Sequence, residues 1–106
     1  MKKIIFPVLA VLLCIPAQVH AQEEDKARIA ENKIITAVEK YNERDFGKAS
    51  GILKGVISEF PDNDAAHFYL GLSEFCLNHM DAAESELKKA VALDSTNFWY
   101  RYRLAM

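Results

Sequence analysis

Few side chains in this 106-residue chain are of the types that hold metals, move protons or attack electrophiles. The histidines are His20, His67 and His79, and the cysteines are Cys14 and Cys76. His67 and His79 lie in different local settings, with no cysteine or carboxylate at the spacing a zinc site uses, so no metal site is expected. Glu84 and Glu86 are two residues apart, and on a helix that spacing turns them away from each other rather than onto one reacting atom. There is no phosphate-cradling glycine loop, no His-Glu-x-x-His, no Cys-x-x-Cys and no serine nucleophile elbow. The reading is of a protein that is not an enzyme, with no catalytic residue, no cofactor and no metal.

What the chain offers instead is apolar and aromatic side chains at helical spacing. Ile34, Val38 and Tyr41 fall on one stripe, and Phe68, Leu72 and Phe75 fall on another. Phe98-Trp99-Tyr100-Arg101-Tyr102-Arg103 mixes aromatic and basic residues and could stack on bases or sugars. No tract is strongly basic, however, and the formal charge is −2, so nucleic acid is not an expected partner. The segment reads more simply as the opening of another helix.

The elements that must position these stripes begin after residue 21. Lys2 and Lys3, an apolar run from Ile4 to Ile15 closed by Pro16, and Val19-His20-Ala21 ahead of Gln22 have the layout of a secretory signal peptide. The run is well short of the ~20 residues that span a bilayer. Residues 1–21 are therefore expected to be removed on export, to the periplasm or envelope of a Gram-negative bacterium, leaving no stable membrane span. Leu13 is bulky where a lipoprotein site wants a small residue, so Cys14 is not expected to carry lipid. Cleavage removes two of the 13 basic residues and none of the 15 acidic ones, taking the formal charge from −2 to −4. It also leaves Cys76 without an internal partner, and the simplest expectation is a small buried hydrophobe.

Residues 22–29 lead into the first of four helical stretches, Lys26 to Asn42. Asp45 is placed to cap Phe46 to Glu59, whose stripe is Ala49, Leu53, Val56 and Ile57. Pro61 ends that stretch, and Asp62-Asn63-Asp64 is a turn rich in capping side chains. Ala65 to Leu77 follows. Asp81 with Glu84 resembles a capping box for Ala82 to Leu93, with the stripe Ala83, Leu87, Ala90 and Val91. After the polar turn Asp94 to Asn97, a last stretch opens at Phe98. Gly47, Gly51 and Gly55 recur on one helix face, either admitting a close neighbour or simply weakening the helix by about 1 kcal/mol each.

Shifting the sequence by 34 superimposes its halves: Tyr41 on Phe75, Phe46 on Met80, Ala49 on Ala83, Leu53 on Leu87, Ile57 on Val91 and Asn63 on Asn97. Ile34, Phe68 and Tyr102 form one aligned set, and Ala37, Gly71 and Ala105 another. A 34-residue helix–turn–helix period is the mark of one repeat architecture, and the residues resemble the tetratricopeptide repeat family. The fold expected is all-α: antiparallel helix pairs in a solenoid, with residues 30–63 and 64–97 as two repeats and residues 98–106 as the first helix of a third. Small residues at 37, 71 and 105, and at 49, 83 and 90, would let the paired helices approach closely, with Leu53 and Leu87 filling the seam. The family's Trp and Tyr positions hold Lys33 and Lys40, then His67 and Glu74, and its closing proline is Pro61 in one copy but Ser95 in the next.

The resemblance implies that first helices line a concave groove. The positions carried over are Glu31, Ile34, Val38, Tyr41 and Asn42, then Ala65, Phe68, Leu72, Phe75 and Cys76, then Trp99 and Tyr102. The apolar members Ile34, Val38, Tyr41, Phe68, Leu72, Phe75, Trp99 and Tyr102 are the candidate site for a protein or peptide partner; alternatively the stripe is core covered by further helices or a second copy. The lysine and asparagine clamp that such domains use on acidic chaperone tails is missing, so that class of ligand is not expected. The function implied is a non-catalytic scaffold module. The alternatives are the leading segment of a longer repeat-containing enzyme or assembly factor whose active part lies beyond residue 106, and a self-associating element, since two repeats are fewer than such arrays usually need.

Overall fold

The structure, a computed structural model, describes residues 23–105. The expected export signal over residues 1–21 lies outside the described residues. Residues 23–31 are helical. From Asn32 onward the chain forms one compact unit, in which residues 32–42 are helical (α1). They are followed by α2 (Phe46–Glu59), α3 (Asp64–Cys76), α4 (Met80–Leu93) and α5 (Phe98–Ala105). No strand occurs among the described residues, and the protein is all-α. No described helix is long and apolar enough to cross a membrane.

Backbone geometry recurs at the 34-residue spacing. Arg44 donates its N–H to the Tyr41 carbonyl at 3.0 Å and Asp45 to the Lys40 carbonyl at 2.8 Å; Asn78 and His79 make the same two bonds to Phe75 and Glu74 at 3.0 and 2.8 Å. Each pair is a Schellman closure, in which a left-handed residue ends the helix and satisfies its last carbonyls. Arg44 and Asn78 hold that place, both at φ 66°. The residue after each becomes the N-cap of the next helix, with φ/ψ of −93/70° at Asp45 and −93/74° at His79. This corrects the capping box expected at Asp81, which lies inside the first turn of α4. The Schellman closure sets the chain's exit direction, so α4 starts at Met80, as α2 starts at Phe46.

The opposite ends recur as well. Phe60 and Asp94 close α2 and α4 by donating to the Val56 and Ala90 carbonyls at 2.8 and 3.0 Å. Asn63 then caps α3, its side chain accepting from Ala66 N–H at 3.0 Å. Asn97 caps α5, accepting from Trp99 at 3.0 Å and Tyr100 at 3.4 Å.

Short connections turn α2, α3 and α4 back on one another. Ser50, early in α2, meets Glu74, late in α3; His67 of α3 meets Glu86 of α4, while Gly71, one turn further along α3, approaches the Ala83 carbonyl, nearly one turn back along α4. Both pairings require antiparallel neighbours. Ala49, Leu53 and Val56 of α2 and Ala83, Leu87 and Ala90 of α4 are buried, as their stripes require. Burying each leucine contributes about 2 kcal/mol. Gly71 marks the closest approach: a Cβ built there would meet Leu87 Cγ at 2.8 Å and the Ala83 carbonyl oxygen at 3.3 Å. The other three glycines, Gly47, Gly51 and Gly55, have open space around them, so no helix among the described residues packs closely on that face.

Candidate functional site

The site forms where α1, α3 and α5 lie along one side of the unit. α3 and α5 are joined by ring stacking of Phe68 on Tyr100, with centroids 4.6 Å apart and planes 30° from parallel. The Tyr100 hydroxyl donates to Asp64 Oδ2 at 2.8 Å, tying the start of α5 to the start of α3. Burial pushes the Tyr100 phenol up in pKa, and the adjoining Asp64 and Asp94 carboxylates push it further the same way. Tyr41, Tyr69, Val91 and Leu104 pack around the cluster that Phe68, Leu72, Leu87, Ala90 and Tyr100 build.

Above this cluster lies a cleft of about 640 Å³. Val38, Tyr41 and Asn42 of α1 form one wall; Ala65, Phe68, Tyr69 and Leu72 of α3 form the bed; Asn97 with Trp99, Tyr100 and Arg103 of α5 forms the other wall. Phe68 and Leu72 are nearly closed off by Tyr100 and the cluster, at 9% and 7% exposure. Trp99 stands open at the rim, at 64% exposure. The bed is therefore rigid core, and the rim is what an incoming molecule would meet.

Of the candidate residues read from the sequence, the structure brings Val38, Tyr41, Phe68, Leu72 and Trp99 to this cleft, and does not bring Ile34, Phe75 or Tyr102. Ile34 is buried in α1. Phe75 is exposed on the last turn of α3. Tyr102 stacks on Phe98 and meets the edge of Trp99, with centroids 5.9 and 6.2 Å away. The reason is directional. Phe68 leans toward α5, the helix one 34-residue period on, so its counterpart on α5, Tyr102, points beyond α5 and away from the cleft. Cys76 is exposed rather than buried. It lies on the open last turn of α3, beside Tyr41, Asn42, Arg44 and Phe46. Tyr69, Asn97, Tyr100 and Arg103 also line the cleft and are not among the candidate site residues expected from the sequence. Arg103 had a usable signal, since it lies one helical turn on from Trp99.

The titratable side chains form two ties on the other flank of α3. His67 is buried, its Nε2–H donating to the Pro61 carbonyl at 2.6 Å and its Nδ1 lying 2.5 Å from Glu86 Oε2. Since a carbonyl can only accept, Nε2 carries a hydrogen, and the remaining contact holds α3 to α4. Glu74, also buried, accepts from Ser50 Oγ at 2.7 Å, meets His79 Nδ1 at 2.5 Å and has Lys54 Nζ at 3.5 Å. Burial pushes its carboxyl up, but the bonds from Ser50 and His79 and the charge of Lys54 outweigh burial and hold it below the usual carboxylate range. These are the carboxylate partners that local spacing in the sequence did not reveal. Every buried side-chain polar atom among the described residues has a partner. No group of three or more metal-ligating side chains gathers among them.

Comparison with protein-family models, curated proteins and solved structures finds no match for this chain.

Proposed function

We propose that the chain is an exported, tetratricopeptide-type helix-pair solenoid whose role is to bind a segment of another protein in the cleft between α1, α3 and α5, without catalysing a reaction. The repeat assignment is supported by the 34-residue recurrence of helix bounds, Schellman closures and asparagine caps. Export is supported by the layout of residues 1–21. The observation that carries the binding role is the cleft itself, a 640 Å³ aromatic-walled concavity over a closed bed. A preformed apolar concavity with a few polar groups at its edge is the ordinary form of a ligand site. An exported scaffold of this kind would gather partners in the periplasm or envelope.

Site-specific crosslinking tests the reading. A photo-reactive side chain placed at Trp99, inside the cleft, is expected to yield adducts with a defined partner in envelope extract. The same group at Lys88, on the exposed surface of α4, is expected to yield none. Equal labelling from both places, or unchanged capture by a Trp99→Ala, Tyr69→Ala chain, would remove the cleft from the function.

A further inference from the structure

We infer that the outer face of α5 rests on an anionic phospholipid surface, its exposed rings entering the headgroup layer and an arginine on each side meeting lipid phosphates. α5 packs on the rest of the unit through a single stripe, in which Tyr100 is buried and Leu104 partly buried. On a helical projection Tyr102 lies opposite that stripe, with Phe98 and Trp99 on either side of it. Phe98 and Trp99 are each 64% exposed and Tyr102 is 46% exposed. The three rings also hold one another: Phe98 stacks on Tyr102, and Trp99 meets both edge-on. Arg101 and Arg103 follow, each about 100° round the helix from Tyr102 and on opposite sides of it. Arg103 stands on the cleft side, and Arg101 on the other. The outer face of α5 is thus an aromatic ridge with a cationic margin along both edges.

The charge on that face selects what it meets. α5 contains no acidic residue, and among the described residues neither Arg101 nor Arg103 belongs to an ion pair. Asp64 and Asp94, the carboxylates that act on Tyr100, accept from the Tyr100 and Thr96 hydroxyls, on the side away from the ridge. The ridge is therefore positive although the chain as a whole has a formal charge of −2. A second copy seated α5 on α5 would set four arginines against one another. Area argues the same way, since the three rings expose only about 400 Å², half of the ~800 Å² that each side of a stable protein pair buries. A bilayer surface needs no such matching wall. Trp and Tyr are the side chains favoured at headgroup level, and long arginine side chains reach from beside them to the phosphates. An anionic leaflet attracts each such arginine strongly enough for about fivefold in affinity.

Trp99 is the only tryptophan in the chain, so its emission reports on the ridge itself. The full chain is mixed with phosphatidylcholine vesicles with and without phosphatidylglycerol, and with the same vesicles carrying bromine-labelled acyl chains, which quench a ring only at close range. We expect Trp99 emission to shift to the blue and to be quenched on the anionic vesicles, with binding to the neutral ones about 20- to 30-fold weaker. An Arg101→Gln, Arg103→Gln chain is expected to bind anionic vesicles no better than neutral ones. A Phe98→Ser, Tyr102→Ser chain is expected to lose both the shift and the quenching, with an unchanged thermal midpoint because both side chains are exposed. Equal binding of the unaltered chain to the two kinds of vesicle, or an anionic preference that survives in the glutamine chain, overturns the inference. Trp99 emission that neither vesicle changes overturns it as well, including where the chain binds through another segment such as residues 4–15. So does a sedimenting mass of two copies that the Phe98→Ser, Tyr102→Ser change returns to one, which gives the ridge to a second copy.

Discussion

Gly71→Ala is the sharpest test of how the helices pack. In a helix interior, replacing Gly with Ala ordinarily stabilises by about 0.8–1 kcal/mol, because the backbone loses freedom already in the unfolded state. At Gly71 the new methyl would lie 2.8 Å from Leu87 Cγ, 3.0 Å from its Cδ2 and 3.3 Å from the Ala83 carbonyl oxygen. Cγ is the branch point of a buried side chain and the carbonyl is backbone, so neither yields cheaply. Overpacking of this kind costs about 2–3 kcal/mol, which leaves a net destabilisation of about 1–2 kcal/mol, or roughly 5–10 °C in Tm for a unit this small. Gly51→Ala is the matched control, since nothing lies within 4 Å of the added methyl; that change is expected to raise stability by up to about 1 kcal/mol. In a Leu87→Ala background the two closest atoms are gone and only the Ala83 carbonyl contact remains, so Gly71→Ala is expected to lose most of its cost, a change that a double-mutant cycle in urea would read directly. If Gly71→Ala raises the urea midpoint of the otherwise unaltered chain as Gly51→Ala does, the close approach of α3 and α4 is not what the glycine serves.

Two further outcomes follow from the turns and the buried carboxylate. Because Glu74 is held below the usual carboxylate range, its contribution is full above the unfolded-chain value of about 4.3 and is lost as pH falls through the lower folded value; Glu74→Gln is expected to cost about 2 kcal/mol near neutrality, and the gap between the two urea midpoints to narrow steadily as pH is lowered below 4.3. A gap that stays constant down to pH 3 would show that ionised Glu74 is not the source. Arg44→Gly is expected to stabilise the chain by about 1 kcal/mol in the same assay, since a side chain at φ 66° is strained where glycine is not, and a loss of stability would place Arg44 in a role the closure does not account for.

The helices were legible because their signals are local. Asp45, Asn63, Pro61 and the stripes through Leu53 and Leu87 each announce an end or a buried face within a turn or two of themselves. Where a local signal misled, a longer-range constraint had prevailed: Asp81 with Glu84 has capping-box spacing, but the closure through Asn78 had already begun the helix at Met80. The site was legible only by half. Register alone put Tyr102 beside Phe68, whereas the structure stacks Tyr100 on that ring. Which side chain of a helix meets its neighbour depends on the rotation of both helices, and a sequence period does not carry it. The same holds for His67 with Glu86 and Ser50 with Glu74, pairs 19 and 24 residues apart that only the antiparallel pairing of helices brings together.

Those two ties bear on why the cleft is suited to binding at all. They have no counterpart at the 34-residue spacing: the positions matching His67 are Lys33 and Arg101, and the position matching Glu74 is Lys40. What recurs in both copies, the closures, the asparagine caps and the small seam residues, is enough to pair helices. What occurs once fixes α3, the helix that supplies the bed of the cleft. On a helical projection His67 and Glu74 lie on the flank of α3 opposite Tyr69, with Phe68 and Leu72 between. The polar ties thus grip α3 from behind, by way of α2 and α4, while its front carries the aromatic bed. A ligand settling on Phe68 and Leu72 meets a surface already held in place, so little ordering cost falls on the protein when it binds. On the proposed binding role, fixing the bed through groups that never touch the ligand leaves the rim, where Trp99 stands most exposed, to set what the cleft selects.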